Sequence, residues 1–436
     1  MNAEKYRYGK NSLLNLFLFL IVYFCIQDFA GALLYTNFNL PKIFFYFHLF
    51  LGEVILFSLF FYIITGTEFK IFSHKKLLSL VAFSILVIIY YFAFSSYKFS
   101  FTTLKELRCL LLPIVLVYLS YYLISTRQKR RRFFRFLIFL SFGLALFGIF
   151  ETLFLPNKWW FNYANMSLYL NQIKGYGAPY PQLGITGETM GRRGYREFLP
   201  RRLASTFGDP FGYAVGMSVS IVIFLYLFLK AKKIRYLLGL LITSGALFLT
   251  FTRSGYILSL MILFIFWLLI LNKKQKLFSI FIFILLFPLM YNFLASFISL
   301  TVSELTRSSA HYNGFISFYT SIIMSGKYWI GMGVAGSRRV ESGYTYLMTQ
   351  LGILGFVAFL TFIFSSMSIV YRNYRKARQK EESTEFINLS CVNAIALGIL
   401  ISTVILLNFY GYPFSMTTYM INWIIVGIAL RASKIE

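Results

Sequence analysis

The stretch ESGYTYLMTQLGILG, residues 341–355, opens on a carboxylate, Glu341, and then turns apolar. Arg338 and Arg339 stand just ahead of it, in a chain with 15 acidic and 42 basic side chains. A carboxylate so placed can take a proton from a hydroxyl as a new bond forms. Nearby arginines would keep it ionised, while apolar surroundings would raise its pKa and make it a stronger base. The plainer alternative is an ion pair with Arg338 or Arg339 that only orders the chain. Tyr344, in the same stretch, is a further candidate.

The arginines suggest a second chemistry. GRRGYREFLPRR, residues 191–202, packs five arginines into twelve positions and ends on Arg201 and Arg202. A guanidinium grips phosphate oxygens with a planar, two-pronged fork, so such a run is a candidate anion site. Arg253, in the short link FTRSG, would add a fixed cation. Solvated loop charge explains the run equally simply, and a lone Arg at a span end can snorkel to water. Arg307, just ahead of the stretch HYNGFISFYTSIIM (311–324), and His311, its first residue, are additional candidates. Cys25, Cys109 and Cys391 lie in apolar segments without metal-ligand spacing, which argues against a disulfide framework or a zinc site. Acidic residues do not cluster around the arginine-rich segments, which argues against a bound divalent cation.

These residues have to be positioned by membrane helices. The chain of 436 residues is 58% hydrophobic and 20% aromatic, and long apolar runs recur throughout. That pattern predicts an all-α polytopic membrane protein with about twelve transmembrane helices in a single domain, 1–436. The expected spans are 11–27, 43–65, 77–97, 104–125, 133–154, 211–230, 236–251, 255–271, 277–298, 344–370, 388–407 and 414–430. No cleavable leader is evident, so the first run is expected to stay as a span.

With both termini cytoplasmic, 26 of the 42 Lys and Arg residues fall on inside segments, and the short outside links are nearly bare. Two long outer-face loops break the bias. Loop 155–210 carries seven Lys/Arg and loop 299–343 carries four. Both hold the candidate residues. Within the motifs, Asp209-Pro210 reads as a helix cap followed by proline in the first turn. Gly331, Gly333 and Gly336 permit sharp turns or close approach, and Gly352 and Gly355 read first as packing glycines.

Three segments now resemble the O-antigen polymerase and O-antigen ligase superfamily (Wzy-type and WaaL-type membrane glycosyltransferases). They are RRLASTFGDPFGYAVGM (201–217), LFLTFTRSGYILSL (247–260), and GKYWIGMGVAG (326–336) followed by the Glu341 stretch. Their order and shared outer placement carry the likeness. The ligase pattern has His, then a polar residue, nine residues, Gly, two residues and Gly. This chain matches it except that Glu341 replaces the His, which favours a polymerase.

The resemblance implies a fold like that of GT-C glycosyltransferases, in the bacterial inner membrane. It implies a substrate of oligosaccharide on undecaprenyl pyrophosphate, no cofactor and no metal. It further implies Glu341 as base, Arg201, Arg202, Arg253, Arg338 and Arg339 on the pyrophosphate, and a chain-length-determining membrane protein as companion. A ligase acting on a lipid A core is the nearest alternative. A transporter or flippase is the rival from another class, supported by Glu53 in the second span and Glu106 and Arg108 entering the fourth. The basic cytoplasmic runs are short and explained by topology, so nucleic-acid binding is not expected.

Overall fold

The computed structural model describes residues 2–38, 41–66, 77–94, 101–155, 169, 203, 205–207, 210–250, 252–277, 329, 331, 343–379, 386–406 and 416–431. Among them there is no strand. Five helices come first: α1 (Asn2–Asn37), α2 (Lys42–Gly66), α3 (Leu78–Phe94), α4 (Phe101–Leu123) and α5 (Arg127–Phe154). Then follow α6 (Pro210–Ala231), α7 (Ile234–Leu249), α8 (Arg253–Leu269), α9 (Gly343–Gln379), α10 (Leu389–Leu406) and α11 (Met416–Arg431). Each stands where the hydropathy pattern places a span. The span expected at 277–298 lies outside the described residues, apart from Leu277.

Six of these helices are long and apolar enough to cross a membrane: Asn11–Asn37, Lys42–Gly66, Glu106–Leu123, Arg127–Phe154, Gly212–Ala231 and Tyr346–Gln379. The chain is therefore a helical, membrane-embedded protein. The helices overrun the apolar cores predicted from sequence. α5 begins at Arg127 rather than 133, capped by Thr126, whose hydroxyl accepts from the Lys129 amide at 3.4 Å. Its basic run is thus a helical extension. α9 likewise carries its last turns, with Arg372, Arg375, Lys376 and Arg378, beyond the apolar stretch. α6 starts at Pro210, as the Asp-Pro signal predicts.

α11 is the hub. It packs against α1, α4, α6, α9 and α10, and Tyr419, Trp423 and Ile424 are fully enclosed. Burial of apolar surface cannot by itself drive helices together in lipid, so shape and short polar links decide the arrangement. Ser141 and Ser220 join α5 to α6 at 2.6 Å, and Thr403 and Tyr419 join α10 to α11 at 2.9 Å. The Asn373 amide donates to the Ala429 carbonyl at 2.8 Å, tying α9 to α11. The Tyr374 hydroxyl donates to the Leu269 carbonyl at 2.6 Å, ending α8 on α9.

Candidate functional site

The described chain next to two of the arginine-bearing stretches meets where α7 ends and α8 begins. The link before α6 falls in the expected outer-face loop 155–210, and its described part packs into the bundle. The Leu203 amide donates to the Leu249 carbonyl at 3.0 Å. Ser205, Thr206 and Phe207 form a buried 3-10 turn. The Ser205 hydroxyl donates to the Leu144 carbonyl of α5, and the Thr206 hydroxyl to the Cys25 carbonyl of α1, both at 2.8 Å. Irregular backbone at this depth is tolerable only when protein satisfies it, and these hydroxyls contribute. Ser205 sits at φ 51, a left-handed conformation fixed by its own hydrogen bond. Tyr169, from the same long link, is fully buried against Gly31 and Tyr35 of α1.

The facing corner is threaded by threonines. The Thr250 hydroxyl donates to the Leu247 carbonyl at 2.6 Å, and the Thr252 hydroxyl to the Thr250 carbonyl at 3.1 Å. Arg253 opens α8 in helical conformation rather than standing in a link, with Thr252 as its N-cap. The hydrogen bond from Leu203 to Leu249 therefore joins two chain positions close in sequence to Arg202 and Arg253. Helix starts also favour anions, because their amides are unsatisfied.

The head of α9 is the third part. Gly352 breaks the helix at φ 63, ψ −168, a region open in practice only to glycine. Gly352 is closely packed, as read from the sequence, though against backbone, and it also makes a kink. A Cβ on Gly352 would stand 2.3 Å from the Trp329 carbonyl oxygen, and one on Gly331 would stand 2.5 Å from the Gly352 nitrogen. Gly331 is itself left-handed at φ 74. The expectation of close approach at Gly331 is met. Beyond the kink, the head of α9 makes two more attachments. The Tyr344 hydroxyl donates to the Val404 carbonyl of α10 at 2.5 Å. The Tyr346 hydroxyl donates to Oε2 of Glu106 on α4, also at 2.5 Å and fully enclosed.

Four acidic residues inside the helices line this same half of the bundle: Asp28, Glu53, Glu106 and Glu151, each 7% exposed or less. Arg108 Nη1 lies 2.9 and 3.0 Å from the two carboxylate oxygens of Glu53, linking α4 to α2. Glu151 lies one helical turn from Gly148, against which Leu203 packs. The sequence reading named Glu53, Glu106 and Arg108, but not Asp28, Glu151 or Tyr346 as site residues. A carboxylate inside an apolar run is the signal that could have flagged the two acids.

Of the candidates read from sequence, Arg253 and Tyr344 fall within the described residues. Arg201, Arg202, Arg307, His311, Arg338, Arg339 and Glu341 lie outside them, as do Asp209, Gly333 and Gly336. What the structure brings together is the chain on either side: Leu203 with Leu249, and the 329–331 segment with Gly352. No protein-family model matches the chain, and no curated protein is similar to it.

Proposed function

We propose that the chain is an inverting glycosyltransferase of about twelve spans, GT-C-like, with both termini cytoplasmic. It joins undecaprenyl-pyrophosphate-linked oligosaccharide units into surface polysaccharide at the outer face of the bacterial inner membrane. The observation that supports this most is the hydrogen bond from Leu203 to Leu249, which joins the residue that follows Arg202 in sequence to the end of α7, four residues before Arg253. Arginines on both of these stretches, next to a helix N-terminus, would suit a lipid pyrophosphate.

In this reading an acceptor sugar hydroxyl attacks the anomeric carbon of the donor. The carbon–oxygen bond to pyrophosphate breaks, and its electron pair leaves with the undecaprenyl pyrophosphate. The hydroxyl proton passes to the Glu341 carboxylate. Arg201, Arg202 and Arg253 bear the charge growing on the leaving group, joined by Arg338 or Arg339, and fixed cations do this without reorganising during reaction.

A second reading has its own support. The Glu53–Arg108 pair and the buried Glu106 are intramembrane charges of the kind transporters use. One experiment separates the readings. The purified protein is placed in liposomes with a lipid-linked repeat unit, and products are resolved by glycan length. Longer lipid-linked glycan with free undecaprenyl pyrophosphate is the expected result. Transfer only to an added lipid A core would establish a ligase. Substrate crossing the bilayer with no new glycosidic bond would overturn the enzyme reading.

A further inference from the structure

We infer that Glu106 and Tyr346 are positioning residues: the buried hydrogen bond between them fixes the head of α9, and so the point from which the chain continues to residues 341 and 342. The head of α9, from Gly343 to the kink at Gly352, has little support of its own. It is about two and a half turns long, and isolated helices of that size are unstable in water. Its direction is not inherited from the rest of α9, because the kink at Gly352 interrupts the helix. External contacts must therefore set its direction.

Among the described residues, attachments to three different elements stand out, beside the packing of the buried Leu347, Thr349, Gln350 and Leu351. The backbone of 329–331 abuts Gly352, the Tyr344 hydroxyl reaches α10, and the Tyr346 hydroxyl reaches Glu106 on α4. The first is shape alone, and the second ends on a carbonyl at the end of a helix. The third differs in kind. It is a short bond between side chains, closed off from solvent, on a residue 8% exposed facing one 7% exposed. A hydrogen bond between two side chains is directional, so it holds direction as well as distance. α4 is a firm anchor, since it packs along α11 and is tied to α2 through Arg108 and Glu53.

Tyr346 is thus the side-chain link that ties the direction of the head to α4. Its consequence for turnover rests on the glycosyl-transfer reading, in which Glu341 acts three residues before Tyr344. Small displacements of a reacting group carry large rate penalties, so loss of aim would lower kcat and leave substrate affinity alone.

The test uses the full-length protein in nanodiscs, with Tyr346→Phe, Glu106→Leu and Glu106→Gln. The glutamine oxygen can still accept from the tyrosine, so Glu106→Gln is the rescue. Amide exchange over 343–351 should rise about tenfold in Tyr346→Phe and Glu106→Leu, and stay near wild type in Glu106→Gln. A Ser342→Cys reporter should change its maleimide labelling rate in the first two backgrounds only. With lipid-linked repeat unit, kcat should fall about 10- to 100-fold in Tyr346→Phe at unchanged KM. Unchanged exchange and labelling in Tyr346→Phe would overturn the inference. So would faster exchange with both kcat and KM intact, since the bond would then be structural only. If the wild type makes no polymer, the functional reading fails, while exchange and Ser342→Cys labelling still decide whether the bond aims the head.

Discussion

Gly352→Ala should detach the 329–331 segment from α9 without melting the helices. The new Cβ would meet the Trp329 carbonyl oxygen at 2.3 Å and its carbon at 2.5 Å. Carbon–oxygen contacts normally stop near about 3.3 Å, so the two backbones must part by about 1 Å. The backbone conformation adds its own cost, about 1–3 kcal/mol for a non-glycine residue in this region. Overpacking adds about 1–3 kcal/mol more. Against this, parting the strands gives up the long Leu354 amide to Trp329 carbonyl hydrogen bond of 3.5 Å, about 0.5 kcal/mol. Separation relieves the overpacking though not the backbone cost, so it is the cheapest relaxation by about 0.5–2.5 kcal/mol.

Gly331→Ala meets the same wall from the other side, with its Cβ 2.5 Å from the Gly352 nitrogen. One separation relieves both clashes, so the two overpacking costs should not add in the double variant, although each alanine keeps its own left-handed backbone cost. Gly245→Ala is the control, because it lies in α7 with nothing within 4 Å of its Cβ, and alanine should be neutral or better there. Amide exchange over 343–355 and the length of the surface glycan are the two readouts. Wild-type exchange and glycan in Gly352→Ala would refute the interlock. Full additivity of the two alanines would refute the shared relaxation.

Other expectations follow from single contacts. Arg253→Lys should shorten the glycan ladder at normal protein level, because an ammonium lacks the two-pronged fork, and a wild-type ladder would remove the fork from the mechanism. Glu341→Gln should abolish long glycan while the protein still inserts, and full-length glycan would show that the carboxylate is no base. Glu53→Leu should destabilise the protein in detergent by about 2–3 kcal/mol. That is less than a fully enclosed pair would cost, because the Arg108 side chain keeps 24% exposure. Adding Arg108→Met should recover most of that loss, and a double variant as weak as the single would contradict the assignment of the cost to an orphaned guanidinium.

The spans were legible because lipid imposes one strong pattern: long apolar runs between charged or polar links. The helix ends were less legible, since α5 and α9 continue past their apolar cores where Thr126 or further basic turns extend them. The insertion of 203–207 was illegible for a definite reason. LASTF is too short to register as an apolar run, and its burial depends on carbonyls of Cys25, Leu144 and Leu249, which are far away in sequence. The kink was half legible. Gly352 stood out as a small residue, but only the approach of Trp329 and Gly331 requires its left-handed backbone. Tyr346 gave no sign at all, because an apolar helix head with tyrosines reads as an interface belt until Glu106 is placed against it.

Taken together, the attachments at this end of the bundle favour a fixed platform over a rocking gate. A transporter that alternates access must move one group of helices against another around its site. Here α9 is tied to α4 by Tyr346 and Glu106, and α4 to α2 by Arg108 and Glu53. The segment before α6 is tied at once to α1, α5 and α7. Any hinge separating these groups would break a buried charge-assisted contact or leave hydroxyls and carbonyls without partners in an apolar setting, each at a cost of about 1–3 kcal/mol. A glycosyltransferase has the opposite need. Its cations and base must already stand where charge develops, and buried links through rigid helices are how that geometry is maintained. Locking the platform further therefore discriminates the two classes. A disulfide engineered between α4 and the head of α9 should leave glycan synthesis intact, whereas it should stop a transporter, and loss of all activity on oxidation with recovery on reduction would count against the enzyme reading.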